Sequence, residues 1–140
     1  MRFMFIRRAD EHTEAGAPPA PGVFDAMDKY HQQMAAAGIL IEGVGLKPSR
    51  FGARITVSAG GVHSKTDGPF AETKELIAGY WVWKVKNMDE AVSWLKRAPF
   101  DGGTEIEIRP IFEAEDFGKE FTPELRAQED RLRAEMESKK

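Results

Sequence analysis

Apolar and polar positions alternate in some stretches of this chain and recur every three to four residues in others, and the two periods divide it into elements. Residues 2–8 alternate, with Phe3 and Phe5 on one side and Met4 and Ile6 on the other, so a strand apolar on both faces is predicted. Residues 10–22 carry Pro18, Pro19 and Pro21 among small residues and read as a loop, either a plain connection or a flap over a pocket. A helix is predicted over 23–37, with an apolar stripe through Phe24, Met27, His31, Met34 and Ala35 and a stop at Gly38. Residues 39–46 read as a strand, and Lys47-Pro48-Ser49 turns the chain. Residues 52–58 place Ile55 and Val57 on one face, and Gly60-Gly61 turns into Val62–Lys65, which predicts a hairpin. The most apolar strand covers 78–86. Asn87 then caps a helix, with Glu90 in a capping-box position and Met88, Ala91, Val92 and Leu95 on one face, and Pro99 ends it. Residues 104–109 alternate as a half-buried strand. A last helix from Thr122-Pro123 to about Met136 has only Leu125, Leu132 and Met136 as apolar positions, which suits a weakly packed arm or a tail.

The order is β-α-β-β-loop-β-α-β plus a terminal helix, which predicts an α+β, ferredoxin-like subunit over residues 1–112 and a C-terminal extension over 113–140. Two helices cover one face of such a sheet. Strand 78–86 carries Trp81, Trp83 and Val85 on one side and Tyr80 and Val82 on the other, so a second face needs cover. Several hundred Å2 of apolar surface corresponds to ~10 kcal/mol before the costs of association. A homodimer packed sheet on sheet meets that need.

Composition narrows the function. The chain has 140 residues, enough for one domain with a real core, and no apolar run is long enough to cross a bilayer. Its first residues, Met1 to Arg8, lack a signal-peptide layout. There is no cysteine, which removes disulfides, thiolate nucleophiles and cysteine-bound metals and fits a cytoplasmic location. The net charge is −3 with both signs mixed, so neither a nucleic-acid footprint nor an anionic-membrane patch is expected.

The candidate chemistry gathers around Asp67-Gly68-Pro69-Phe70-Ala71-Glu72-Thr73-Lys74-Glu75. Asp67 can bond backbone amides ahead of it, Gly68 tolerates unusual backbone angles and Pro69 stiffens the turn. Two readings stand: a rigid surface turn with solvated charges, or a firm loop presenting Asp67 to a ligand. His31 is either a core histidine or a general base near Asp67. Arg109 shares a strand face with Glu105 and Glu107, at a solvated edge or in a cleft wall, where it would hold an anion beside Tyr80. Trp81 and Trp83 read as core or interface rather than as a ligand platform. His12, His63, Glu72 and Glu75 make no diagnostic metal set, the serines lack an elbow, and Gly60-Gly61 is no phosphate loop, so no metal or cofactor is expected. The enzymatic reading is acid–base chemistry on a small organic acid or ring compound, with Asp67 and His31 catalytic and Arg109 and Tyr80 binding. The rival is a non-catalytic binding or regulatory module.

The stretch Thr66 to Glu75, with Gly79-Tyr80, Met88-Asp89-Glu90-Ala91-Val92 and Glu107-Ile108-Arg109-Pro110-Ile111, resembles the YCII-related, DGPF-domain family over roughly residues 1–112. The resemblance implies a dimeric α+β barrel of ferredoxin-like subunits. Some relatives of this type are labelled as sigma-factor or transcription associated, and others have a His-Asp pair in a cleft, with one branch resembling dehalogenating hydrolases. Asp67 matches the motif directly. The place of the family's histidine, counted back from Gly38, is taken by Met27, and His31 lies one turn later.

Overall fold

The alternating N-terminal stretch forms β1 (Arg2–Arg8), the second strand from the edge of a four-stranded sheet, in a computed structural model that describes residues 1–71 and 75–140. The elements that follow are α1 (Glu11–Glu14), α2 (Val23–Ala36), β2 (Leu40–Gly45), β3 (Ala53–Val57), β4 (His63–Asp67), β5 (Ile77–Lys84), α3 (Met88–Leu95), β6 (Ile106–Pro110) and α4 (Pro123–Ser138). The chain divides into two units, Met1–Pro110 and Ile111–Lys140. Glu72, Thr73 and Lys74, three of the charged-loop positions singled out above, lie outside the described residues.

In the first unit the strand order is β2-β5-β1-β6, and every pairing is antiparallel. Antiparallel register fixes the rows on each face. One face carries Leu40–Trp83–Phe3–Pro110, then Gly43–Trp81–Phe5–Ile108, then Gly45–Gly79–Arg7–Ile106. The other carries Glu42–Val82–Met4–Arg109 and Val44–Tyr80–Ile6–Glu107. The helices cover the first face. Its core joins Phe3, Phe5, Trp81 and Trp83 to Tyr30 and Met34 of α2 and Ala91 of α3. Both tryptophans are therefore core residues, and the second face is left with Met4, Ile6, Val44, Tyr80 and Val82 as its apolar positions.

Local signals explain most boundaries. Gly38 has φ of 72°, and the Ile39 amide bonds the Met34 carbonyl, so α2 stops where a left-handed residue is needed. The face of α2 differs from the predicted stripe. Tyr30 and Met34 are buried, whereas Phe24 is 74% exposed and Ala35 is exposed. Tyr30 escapes a simple apolar count because it is half polar. Its hydroxyl donates to the Trp94 carbonyl at 2.6 Å and ties α2 to α3, and burial pushes its phenol up to about 12. The predicted loop 10–22 contains α1, closed by reciprocal bonds between Asp10 and Thr13. Asn87 caps α3 as expected, but the Glu90 carboxylate takes the Lys86 amide rather than that of Asn87.

Strands β3 and β4 form their own two-stranded sheet, and every residue in them is exposed. The second unit holds α4, capped by Thr122 with Pro123 in the first turn. The Phe112 and Phe117 rings stack at 5.1 Å, Phe121 packs tilted on Phe117 at 5.3 Å, and Arg126 pairs with Glu115. Leu125, Leu132 and Met136 stay exposed, in keeping with their thin stripe.

At the β6 edge, Glu107 accepts from Arg8 Nη2 at 2.6 Å and from Arg109 Nη1 at 3.2 Å. These bonds, Arg109 first and then Arg8, hold its carboxyl below the usual carboxylate range. A carboxyl with a lowered folded value adds stability above its unfolded titration and loses it as pH falls through the folded one. Replacing Glu107 with Gln should therefore lower the denaturation midpoint at neutral pH, and the gap to wild type should narrow as pH falls through the folded-state titration of Glu107. Midpoints measured across that pH range, with a constant gap, would contradict the assignment.

Candidate functional site

Three glycines clear one end of the helix-covered face. A side chain at Gly43 would meet Trp81 Cδ1 at 2.7 Å, so its absence lets the indole lie against β2. One at Gly79 would meet the Val44 carbonyl oxygen at 2.7 Å, and this glycine sits opposite Arg7 and Gly45. Gly45 itself faces open space, with nothing within 4 Å of its would-be Cβ. Beneath α2, the cleared end is a cavity of about 450 Å3. That volume falls within the roughly 300–1,000 Å3 of small-molecule sites.

Its walls come from Phe5 and Arg7 of β1, Phe24, Met27, Asp28 and His31 of α2, Trp81 of β5, and Phe100 and Ile106. Trp81 Nε1 donates to His31 Nε2 at 3.0 Å, and the two rings are nearly perpendicular. An indole N–H only donates, so His31 Nε2 is the acceptor and the ring proton sits on Nδ1. Trp81 also packs on Phe100 with centroids 5.5 Å apart. The Arg7 guanidinium lies 5.2 Å from the Phe100 ring centre, and its Nε is buried without a hydrogen-bond partner among the described residues. Asp28, exposed and one turn before His31, accepts from the Gln32 side-chain amide at 2.7 Å.

Of the residues singled out from sequence, His31 and Tyr80 reach this cavity. The side chain of Tyr80 belongs to the opposite sheet face, in register with Ile6 and Val44. Arg109 and Asp67 are not among its lining residues. Arg109 is bonded to Glu107 at the sheet edge. Asp67 ends β4 with its side chain 76% exposed and paired with Lys65 at 3.2 Å, so the structure does not bring Asp67 and His31 together as partners. Sequence reading missed Arg7, Asp28 and the glycines. The signals were present: Arg7 continues the Phe3-Phe5 face, and glycines inside apolar strands mark room or close approach.

The Asp-Gly-Pro-Phe stretch instead locks the base of the hairpin. The Gly68 amide donates to the Gly52 carbonyl at 2.9 Å, and a side chain at Gly68 would overlap the Ser49 carbonyl oxygen. Ser49 Oγ accepts the Phe70 amide at 3.1 Å and donates to Glu14, which also takes the Ser49 amide. Arg54 lies over the Phe70 ring at 3.9 Å. A second hollow of about 440 Å3 lies here, lined by Glu14, Ser49, Arg54 and Phe70 among others. Glu14 and Ser49 are bonded to each other, which leaves less unengaged polar chemistry than in the first cavity.

Among the described residues no group of three or more His, Cys, Asp or Glu is placed to hold a metal ion, and no helix is long and apolar enough to cross a membrane. A model of the YCII-related domain matches residues 1–115. The chain belongs to the YCII-related domain family. No curated protein matches it. Among solved structures it is similar to 5-chloro-2-hydroxyhydroquinone dehydrochlorinase (TftG) from Burkholderia phenoliruptrix AC1100 in complex with 2,5-dihydroxybenzoquinone, at 15% identity and a TM-score of 0.40, over 84% of this chain and 100% of that one. In this YCII-related domain the Asp-Gly-Pro-Phe stretch closes the hairpin base, while His31 stands in a separate, glycine-cleared cavity.

Proposed function

We propose that this YCII-related protein is a cofactor-free, small-molecule enzyme whose site is the cavity under α2, with His31 polarising the substrate through a hydrogen bond from Nδ1–H. The observation that carries this reading is the Trp81–His31 bond in the cavity wall. It fixes the imidazole in one tautomer and orientation. Nδ1–H is then the group available to donate a hydrogen bond to an oxygen of a bound molecule and polarise it, with no proton leaving the ring. Phe5, Trp81 and Phe100 supply apolar walls, so the occupant is a small organic compound rather than a highly charged one.

The subunit is read here as ferredoxin-like, on the β-α-β-β-α-β order with β3–β4 as an inserted hairpin. A cytoplasmic homodimer is part of the same proposal, because Met4, Ile6, Tyr80 and Val82 lie on the face opposite α2 and α3. A second reading, a non-catalytic binding or transcription-associated module, is favoured by the hairpin, where Ile55, Val57 and Val62 are 58–68% exposed.

The discriminating experiment is a thermal-shift screen of small organic molecules against wild type, Gly45→Leu and Asp67→Ala. Leucine at position 45 projects into the cavity from a backbone that needs no positive φ. Compounds that stabilise wild type and Asp67→Ala but not Gly45→Leu are expected, and His31→Ala should abolish their turnover. Hits that survive in Gly45→Leu and vanish in Asp67→Ala would move the site to the Asp-Gly-Pro-Phe loop. Binding without turnover in wild type would favour the module reading.

A further inference from the structure

We infer that the occupant of the cavity is a small organic monocarboxylate, its anionic end on Arg7 and its apolar body against Trp81 and Phe100. The inference rests on the cavity being the site, and it adds the chemical class of the molecule bound there.

The position of Arg7 carries the argument. Phe3, Phe5 and Arg7 share the helix-covered face of β1, so the strand places a guanidinium where its pattern puts core residues. Arg7 is half-buried with its Nε fully enclosed, and enclosing part of a cation is costly unless something pairs with it. The neighbouring strand position is Gly79, and the next is Gly45, so no side chain of β5 or β2 reaches across to it in that row. Its one described ring contact is Phe100 at 5.2 Å. Arg8, one residue on and on the opposite face, shows the contrast, since it bonds Glu107 at 2.6 Å. Arg7 Nε is buried and unbonded among the described residues. The nearby carboxylates have hydrogen-bond partners of their own: Asp10, although it feels the Arg7 charge, caps α1 through Thr13, and Asp28 accepts from Gln32.

A guanidinium held this way matches a planar carboxylate, which accepts two parallel N–H bonds from it. Phosphate and sulfate fit the fork equally well but not the apolar walls made by Phe5, Trp81 and Phe100. The exposed Asp28 at α2 disfavours a second negative charge on the occupant, which points to a monoanion.

Benzoate and benzamide test this directly, because they share shape and differ in charge. Their affinities for wild type, Arg7→Met, Arg109→Met and Gly45→Leu would be measured by calorimetry. The expected result is benzoate tighter than benzamide by roughly tenfold or more in wild type, a preference unchanged in Arg109→Met and lost in Arg7→Met. Gly45→Leu should lose both ligands. Equal affinities in wild type, or no binding of benzoate, would overturn the carboxylate inference even if Arg7→Met failed to fold. Equal affinities with both ligands lost in Gly45→Leu would leave the cavity as the site and sink only the anion. A benzoate preference that persists in Gly45→Leu would remove the cavity and Arg7 together.

Discussion

Gly68→Ala should lower stability by about 3 kcal/mol or more, one of the largest single-residue effects expected in this chain. The added methyl falls on the Ser49 carbonyl oxygen, and Arg50 Cα lies 3.3 Å from the same point, so the obstacle is backbone and not a side chain that swings aside. Relief requires separating the Gly68–Gly52 hydrogen bond and with it the Ser49–Phe70 contact that closes the hairpin base. Thermal denaturation should show a fall of roughly 10 °C. Asp67→Ala, one residue away, removes only an exposed pair with Lys65 and should stay within about 0.5 kcal/mol. If the two variants melted together, the motif's role as a lock at the hairpin base would have to be abandoned.

Trp83→Ala should cost about 4 kcal/mol in denaturant unfolding at 25 °C. Trp83 is fully buried, lies on Phe5 with ring centres 3.7 Å apart, and touches the rings of Trp81 and Tyr30. No neighbour is placed to fill the hole, because β1, β5 and both helices meet there. Trp83→Phe makes a sharper comparison. The indole Nε1 is buried with no partner among the described residues, so phenylalanine also removes an unsatisfied donor. Its cost should be less than half that of alanine. A larger loss for phenylalanine would mean that the indole N–H is bonded in solution.

The sheet was legible in the chain because alternation and capping act locally. Phe3-Met4-Phe5-Ile6, the apolar 78–86 run and Asn87 each declare their role within a few residues, and the structure follows them. The proposed site was not legible for the opposite reason. Arg7 takes its meaning from Gly79 and Gly45 across the sheet, and His31 from Trp81, fifty residues on. Pairings at such separation leave no periodic trace. The Asp-Gly-Pro-Phe stretch left two readings open, a rigid surface turn or a loop presenting Asp67, and the contact of Gly68 with Ser49 that its stiffness serves is encoded by no local pattern. Tyr30 was overlooked because a phenol counts as polar until a carbonyl such as that of Trp94 is there to receive it.

The bare floor at Gly45 separates two design problems that most proteins must solve together. Gly45 contributes no side chain to the packed centre around Trp83 and faces open space, so the cavity's volume can be tuned by replacements at that one position without disturbing the scaffold. Side chains introduced at Gly45 can change what the cavity has room for, one methyl group at a time, while the melting behaviour stays where it was.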